Sequence, residues 1–157
     1  MSNCRVGYVP GVFDMFHIGH LNLLRNARSS CDYLVAGIVS DELTRLTKQK
    51  LPVIPLAERL QVVRAIRYVD EAIVEDVPKL EMWQRLNFDV IIKGDDWRGT
   101  PKGDRLEADF RPLDVDVIFL PYTSHTSSTL LRQALHQRIA VAPHVRRPAA
   151  SACRTRL

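Results

Sequence analysis

The sequence predicts a single α/β domain built on a doubly wound, parallel five-stranded sheet. Three observations carry that expectation. Short apolar runs rich in Val and Ile recur along the chain, and they are continuous rather than alternating, as in strands buried on both faces. Segments with helical spacing separate them, so the strands are joined by crossovers rather than hairpins. The 157 residues, 46% hydrophobic, suffice for one well-packed core and not for two.

Taken in order, the strands are "RVGYVPGVF" (5–13), "DYLVAGIV" (32–39), "EAIVEDV" (71–77), "DVIIKG" (89–94) and "VDVIFLP" (115–121), each bounded by Gly, Pro or Asp. The helices are "HLNLLRNARSS" (20–30), "LAERLQVVRAIRYV" (56–69), "KLEMWQRLN" (79–87) and "STLLRQALHQRI" (128–139). Two stretches fit no element, 47–55 and 95–114, and loops that long in a compact domain are usually functional. Residues 1–140 are expected to form the domain and 141–157, rich in Pro, Ala and Arg, a basic disordered tail.

The formal charge is +4, but five arginines and no acid lie from Arg138 onward, and without them 17 basic residues face 18 acidic ones. A groove for nucleic acid is therefore not expected. The three cysteines, Cys4, Cys31 and Cys153, show no CxxC spacing for a zinc site or redox pair. No apolar run approaches the roughly 20 residues that span a bilayer, and "MSNCRVGYVP" lacks a signal-peptide core. These features predict a soluble, cytoplasmic protein.

"GVFDMFHIGH" sets His17 and His20 behind the first strand, at the mouth of the first helix. In an open parallel sheet, ligands bind beyond the carboxyl ends of the strands near the point where strand order reverses. Residues three apart share a helix face, the helix N-terminus suits a phosphate, and Gly19 keeps the wall between the rings low. Three readings compete. The histidines could bind a metal with Asp14 as a third ligand, could simply cap and pack, or could donate to phosphate oxygens. The strand, Gly19 and Asp14 together favour phosphate.

With its literal HIGH, this segment resembles the HxGH nucleotidyltransferase superfamily. "IRYVDEAI", "GDDWRG" and "PYTSHTSST" follow in the order of its cytidylyltransferase branch, most like the bacterial glycerol-3-phosphate enzymes, over about residues 6–135. The resemblance implies a Rossmann-like fold and transfer of CMP from CTP, with Mg²⁺ bound through the CTP phosphates rather than at a fixed protein site, to a small phosphorylated alcohol. It also implies a homodimer. It assigns His17, His20, Lys48 and Lys50 to catalysis. Gly11, Val12, Phe13, Asp14, Gly19, Gly94, Asp95, Asp96, Trp97, Tyr122, Thr123, Thr126, Ser127, Ser128 and Thr129 are assigned to the nucleotide, and Arg59, Asp41 and Lys48 to the acceptor.

A phosphate monoester is already mostly dianionic at neutral pH and needs no general base. The chemistry instead needs charge stabilisation at the α-phosphoryl group, which is the work of histidines, lysines and Mg²⁺. Two departures bear on the acceptor. The family pattern RTEGISTT reads "YTSHTSST" here, with Tyr122, Ser124 and His125 replacing arginine, glutamate and glycine, so Lys102, Arg105 or Arg132 could supply the missing charge. Val12 stands where the glycerol enzymes have threonine, a choice seen in choline- and ethanolamine-phosphate enzymes. A phosphonate cytidylyltransferase, an adenylyltransferase and a catalytically silent nucleotide-binding module are the alternatives.

Overall fold

The computed structural model describes residues 4–121, 123 and 126–141. Its strands are β1 (Val6–Gly11), β2 (Tyr33–Val39), β3 (Glu71–Glu75), β4 (Val90–Gly94) and β5 (Asp116–Leu120), each where an apolar run predicts one. They form one parallel sheet in the order β3-β2-β1-β4-β5. The chain winds outward from β1 through β2 to β3, then crosses back to β4 on the other side of β1. The switch point therefore falls between the carboxyl ends of β1 and β4, where α/β sheets open a crevice.

The helices are α1 (Ile18–Ala27), α2 (Asp41–Lys48), α3 (Leu56–Arg64), α4 (Lys79–Leu86), α5 (Pro101–Phe110) and α6 (Ser128–Val141). Successive strand residues face opposite sides, and the two cores follow that alternation. Val9, Ala36 and Ile92 pack with Leu24 and Ala27 of α1 and Val63 of α3. Tyr8, Val35 and Ile91 pack on the other face with Met82 of α4 and Leu106 and Phe110 of α5.

Three differences from the sequence expectation appear. Helix α2 leads into the segment read as a loop and takes in its first two residues, 47 and 48. Its N-cap Ser40 accepts from Leu43 N and acids fill its first turn, but only Thr44 is buried, and eight residues with two leucines make too short a run to stand out as a helix. Helix α5 replaces half of the expected 95–114 loop. Thr100 caps it, Pro101 opens it, and Gly103, Leu106 and Phe110 face the core at helical spacing. Gly103, which reads as a loop residue, is required there because a Cβ would lie 2.1 Å from the Trp97 carbonyl oxygen. Finally, α3 ends at Arg64, five residues short of the expected end. No helix among the described residues is long and apolar enough to cross a membrane.

Candidate active site

The turn from β1 into α1 builds the floor of the crevice. Phe13 and Met15 take left-handed backbone angles (φ 53° and 46°), which turn the chain sharply before the helix. His17 is the N-cap of α1, with extended backbone, and its Nδ1 accepts the Gly19 N–H at 3.1 Å. The His17 and His20 rings stack with centroids 3.9 Å apart, so the pair acts as one unit. A Cβ on Gly19 would lie 2.8 Å from His17 Cε1 and 3.4 Å from the Thr126 carbonyl, which explains the glycine.

His20 is wedged between the rings of Phe13 and Phe16, with centroids at 5.3 and 5.5 Å. Its buried Nδ1 has no hydrogen-bond partner among the described residues. Burial first, then the neighbouring His17, lower its pKa to about 3, and burial lowers that of His17 as well. Both are therefore neutral imidazoles at pH 7.

Above this floor lies a cleft of about 390 Å³. It is lined by Gly11, Val12, Phe13, Asp14, His17, Gly19 and His20 from the first turn, by Gly94, Asp96 and Trp97 after β4, and by Thr123, Ser127, Ser128 and Thr129 before and within α6. Lys48 and Lys50 reach it from the end of α2 and the following segment. The sequence thus brings four distant motifs to one place. The Ser127 hydroxyl accepts the Leu130 N–H, Ser128 donates to the Asp14 carbonyl, and the Asn22 amide donates to Thr123, so these groups are held in position.

Asp14 is 2% exposed and serves as a clamp. Its carboxylate accepts the N–H groups of Val53 and Ile54 and pairs with Arg132 of α6. Burial opposes its ionisation, but those two backbone donors and Arg132 outweigh it and hold the carboxyl below the usual range. The clamp ties the Lys50-bearing segment and α6 to the HIGH turn.

The remaining assignments sit differently. Arg59 is 1% exposed, and its guanidinium donates to the carbonyls of Val12, Val39 and Ile54 and to the carboxylate of Asp41. It braces the turn from beneath, and neither it nor Asp41, both expected at the acceptor, is among the residues lining the cleft. Asp95 and Thr126 also stand outside the lining, and Tyr122 and His125 fall outside the described residues.

Two lysines escaped the sequence reading. Lys93, at the end of β4, is buried, and its ammonium donates to the Pro10 carbonyl at 2.8 Å and lies 4.2 Å from the centre of the Trp97 ring. Burial first, then the charges of Lys79 and Lys48, push its pKa down to about 7. Lys79, at the start of α4, donates to the buried Glu75 at 3.1 Å, and Glu75 also accepts the Tyr8 hydroxyl at 2.5 Å. Lys48, Lys79, Lys93 and Lys102 line a second cavity of about 240 Å³ that adjoins the cleft, with Glu75 as its one acid. A lysine inside a strand-like run such as "DVIIKG" reads as a solvated strand end, so nothing local marks Lys93. Among the described residues, no group of three His, Cys, Asp or Glu side chains is placed to hold a metal ion.

A parallel α/β sheet with paired histidines, hydroxyls and lysines around a crevice at its switch point is the arrangement of a nucleotidyltransferase. The chain belongs to the cytidylyltransferase-like family, whose pattern it matches over residues 8–134. It is 35% identical over 132 residues to the glycerol-3-phosphate cytidylyltransferase of Bacillus subtilis, covering 80% of this chain and 92% of that protein. Similarity to an ethanolamine-phosphate cytidylyltransferase of Arabidopsis thaliana reaches 45% over 103 residues, but the match spans only 24% of that longer protein. An FAD synthase of Thermococcus kodakarensis is 34% identical over 116 residues, covering 73% and 78% of the two chains. The fold also matches a lipopolysaccharide core biosynthesis protein from Thermoplasma volcanium, with a TM-score of 0.70 and 22% identity over 78% of this chain and all of that one.

Proposed function

We propose that the chain is a CTP-dependent cytidylyltransferase that transfers CMP to a small phosphorylated alcohol, with glycerol 3-phosphate the favoured acceptor, releasing pyrophosphate. The observation that carries this reading is the pair of adjoining cavities. One has the imidazoles, hydroxyls and helix ends that suit a triphosphate, and the other has four lysines that suit the phosphate of a second substrate. Identity with the Bacillus enzyme over nearly its whole length supports the acceptor class.

In this reading Mg²⁺ enters as part of the substrate, bound to the CTP phosphates, with Asp96 the carboxylate at hand on the cleft wall. The acceptor's phosphate oxygen attacks the α-phosphorus, the bond to the β-phosphate oxygen breaks, and the electron pair leaves with pyrophosphate. No proton need move. His17 and His20 donate to the α-phosphoryl oxygens, and Lys48 and Lys50 neutralise the charge gathering there. Ser127, Ser128 and Thr129 hold the departing phosphates at the start of α6. We further expect a cytoplasmic homodimer, in keeping with the free Cys4 and Cys31 and with exposed Ile18, Leu51, Val53 and Leu135, and sedimentation velocity tests the dimer.

The 45% identity with the ethanolamine-phosphate enzyme and the valine at position 12 favour a second acceptor, phosphoethanolamine. Pyrophosphate release separates the readings when CTP, ATP, GTP and UTP are each crossed with glycerol 3-phosphate, phosphoethanolamine, phosphocholine and ribitol 5-phosphate. Turnover with CTP and glycerol 3-phosphate supports the first reading, and turnover with CTP and phosphoethanolamine alone supports the second. Turnover with ATP alone makes the enzyme an adenylyltransferase and overturns both.

A further inference from the structure

Lys48 and Lys93 are the two lysines that border both cavities, and so stand where the second substrate's phosphate must meet the nucleotide. Lys48 was expected from the sequence, and Lys93 was not. An ammonium carries three donors. That of Lys93 gives one to the Pro10 carbonyl at 2.8 Å and faces the Trp97 ring at 4.2 Å. Among the described residues it forms no ion pair, because Glu75, on the wall of the same cavity, is taken by Tyr8 and Lys79. A buried cation without a counter-ion destabilises the protein that holds it. Methionine would fill the space without that cost, so the position makes physical sense when an anion arrives beside it.

We propose that Lys93 is a substrate-contacting cation which, with Lys48, holds the acceptor's phosphate at the junction of the two cavities while one of its oxygens attacks the α-phosphorus. The inference rests on the transferase reading above and adds to it a residue and a place for the acceptor. Its surroundings are consistent. Lys79 on α4 and Lys48 on α2 repel the ammonium, Glu75 on β3 and Asp96 after β4 attract it, and the Pro10 carbonyl of β1 fixes its direction. With burial, these place its titration near neutrality, so a phosphate dianion would draw a proton onto it.

The test compares wild type with Lys93→Met, using the acceptor that wild type turns over fastest. The variant is expected to bind CTP within about threefold of wild type and to lose about 100-fold in kcat/KM for the acceptor. Calorimetric titration of wild type with that acceptor at pH 8, in two buffers of different ionisation heat, should show proton uptake, since the phosphate is already a dianion there. The uptake should vanish in Lys93→Met. A variant whose acceptor kcat/KM stays within about threefold of wild type overturns the inference and leaves the function standing. Equal losses toward CTP and acceptor make Lys93 a structural tie and also overturn it. Should the variant not fold, proton uptake by wild type supports the inference and its absence overturns it. A wild-type protein that releases no pyrophosphate with any nucleotide overturns the proposed function, and this inference with it.

Discussion

The imidazoles of His17 and His20 stack at 3.9 Å with 29° between their planes, and the Gly19 N–H points into His17 Nδ1. That hydrogen bond assigns the neutral ring of His17 its proton on Nε2, where it can donate to a phosphate oxygen. Two positive charges at this spacing would repel, which adds to burial in keeping His20 neutral. Imidazole NMR should show His20 neutral down to about pH 4, with titration near pH 6 contradicting the assignment. The folded pKa of His20, about 3, lies below the unfolded value, so its contribution to stability is flat above pH 6.5 and declines as pH falls from there toward 3. Replacing His17 by Ala should lower turnover about 100-fold or more while the fold persists.

Asp14 joins three parts of the cleft that are far apart in sequence. The Asp14→Asn variant loses the counter-charge of Arg132 and the negative oxygens facing Val53 and Ile54. A loss of about 3 kcal/mol in urea unfolding is expected, together with weaker CTP binding, because the Lys50 segment and α6 both lean on this carboxylate. Unchanged stability would show that the clamp is replaceable.

Lys93 has a second, independent signature in the free protein. Its folded pKa of about 7 lies below its ordinary 10.5, so between those values the unfolded chain binds more protons and stability rises with pH. Below pH 7 the full cost of the buried charge is present. Lys93→Met should therefore be more stable than wild type at pH 6, with the gap narrowing toward pH 10. Urea midpoints at pH 6, 8 and 10 check this, and a constant gap would refute it.

Gly103 sits against the Trp97 carbonyl with no room for a methyl group. Gly103→Ala should cost about 1–3 kcal/mol and shift the Trp97 loop, readable as a lower Tm and altered tryptophan fluorescence.

Much of this could be read from the chain. Continuous Val/Ile runs announce buried parallel strands, and HIGH, GDDW and the Ser/Thr segment mark the sheet edge, where Lys48, Asp96 and Ser127 line one cleft with His17. What escaped depends on neighbours distant in sequence. Nothing in "LAERLQVV" shows that Arg59 is buried; it is buried because Val12, Val39, Ile54 and Asp41 converge on it. Lys93 is buried because β4 pairs beside β1, 83 residues away in sequence, and the Trp97 ring covers it. Helices α2 and α5 are short, eight and ten residues, and mostly polar, so a search for long apolar patterns passes over them although Ser40 and Thr100 cap them.

Attack by the acceptor phosphate on the α-phosphorus can be followed through its oxygens. Wild-type protein is incubated with Mg²⁺, CTP and an acceptor whose phosphate carries ¹⁸O, and the products are read by phosphorus NMR and mass spectrometry. Attack by the acceptor phosphate predicts equal amounts of pyrophosphate and CDP-alcohol, with all the label in the CDP-alcohol, including its bridging oxygen, and none in pyrophosphate. CTP that stays intact, or that is hydrolysed to CMP without a CDP-alcohol, would contradict it.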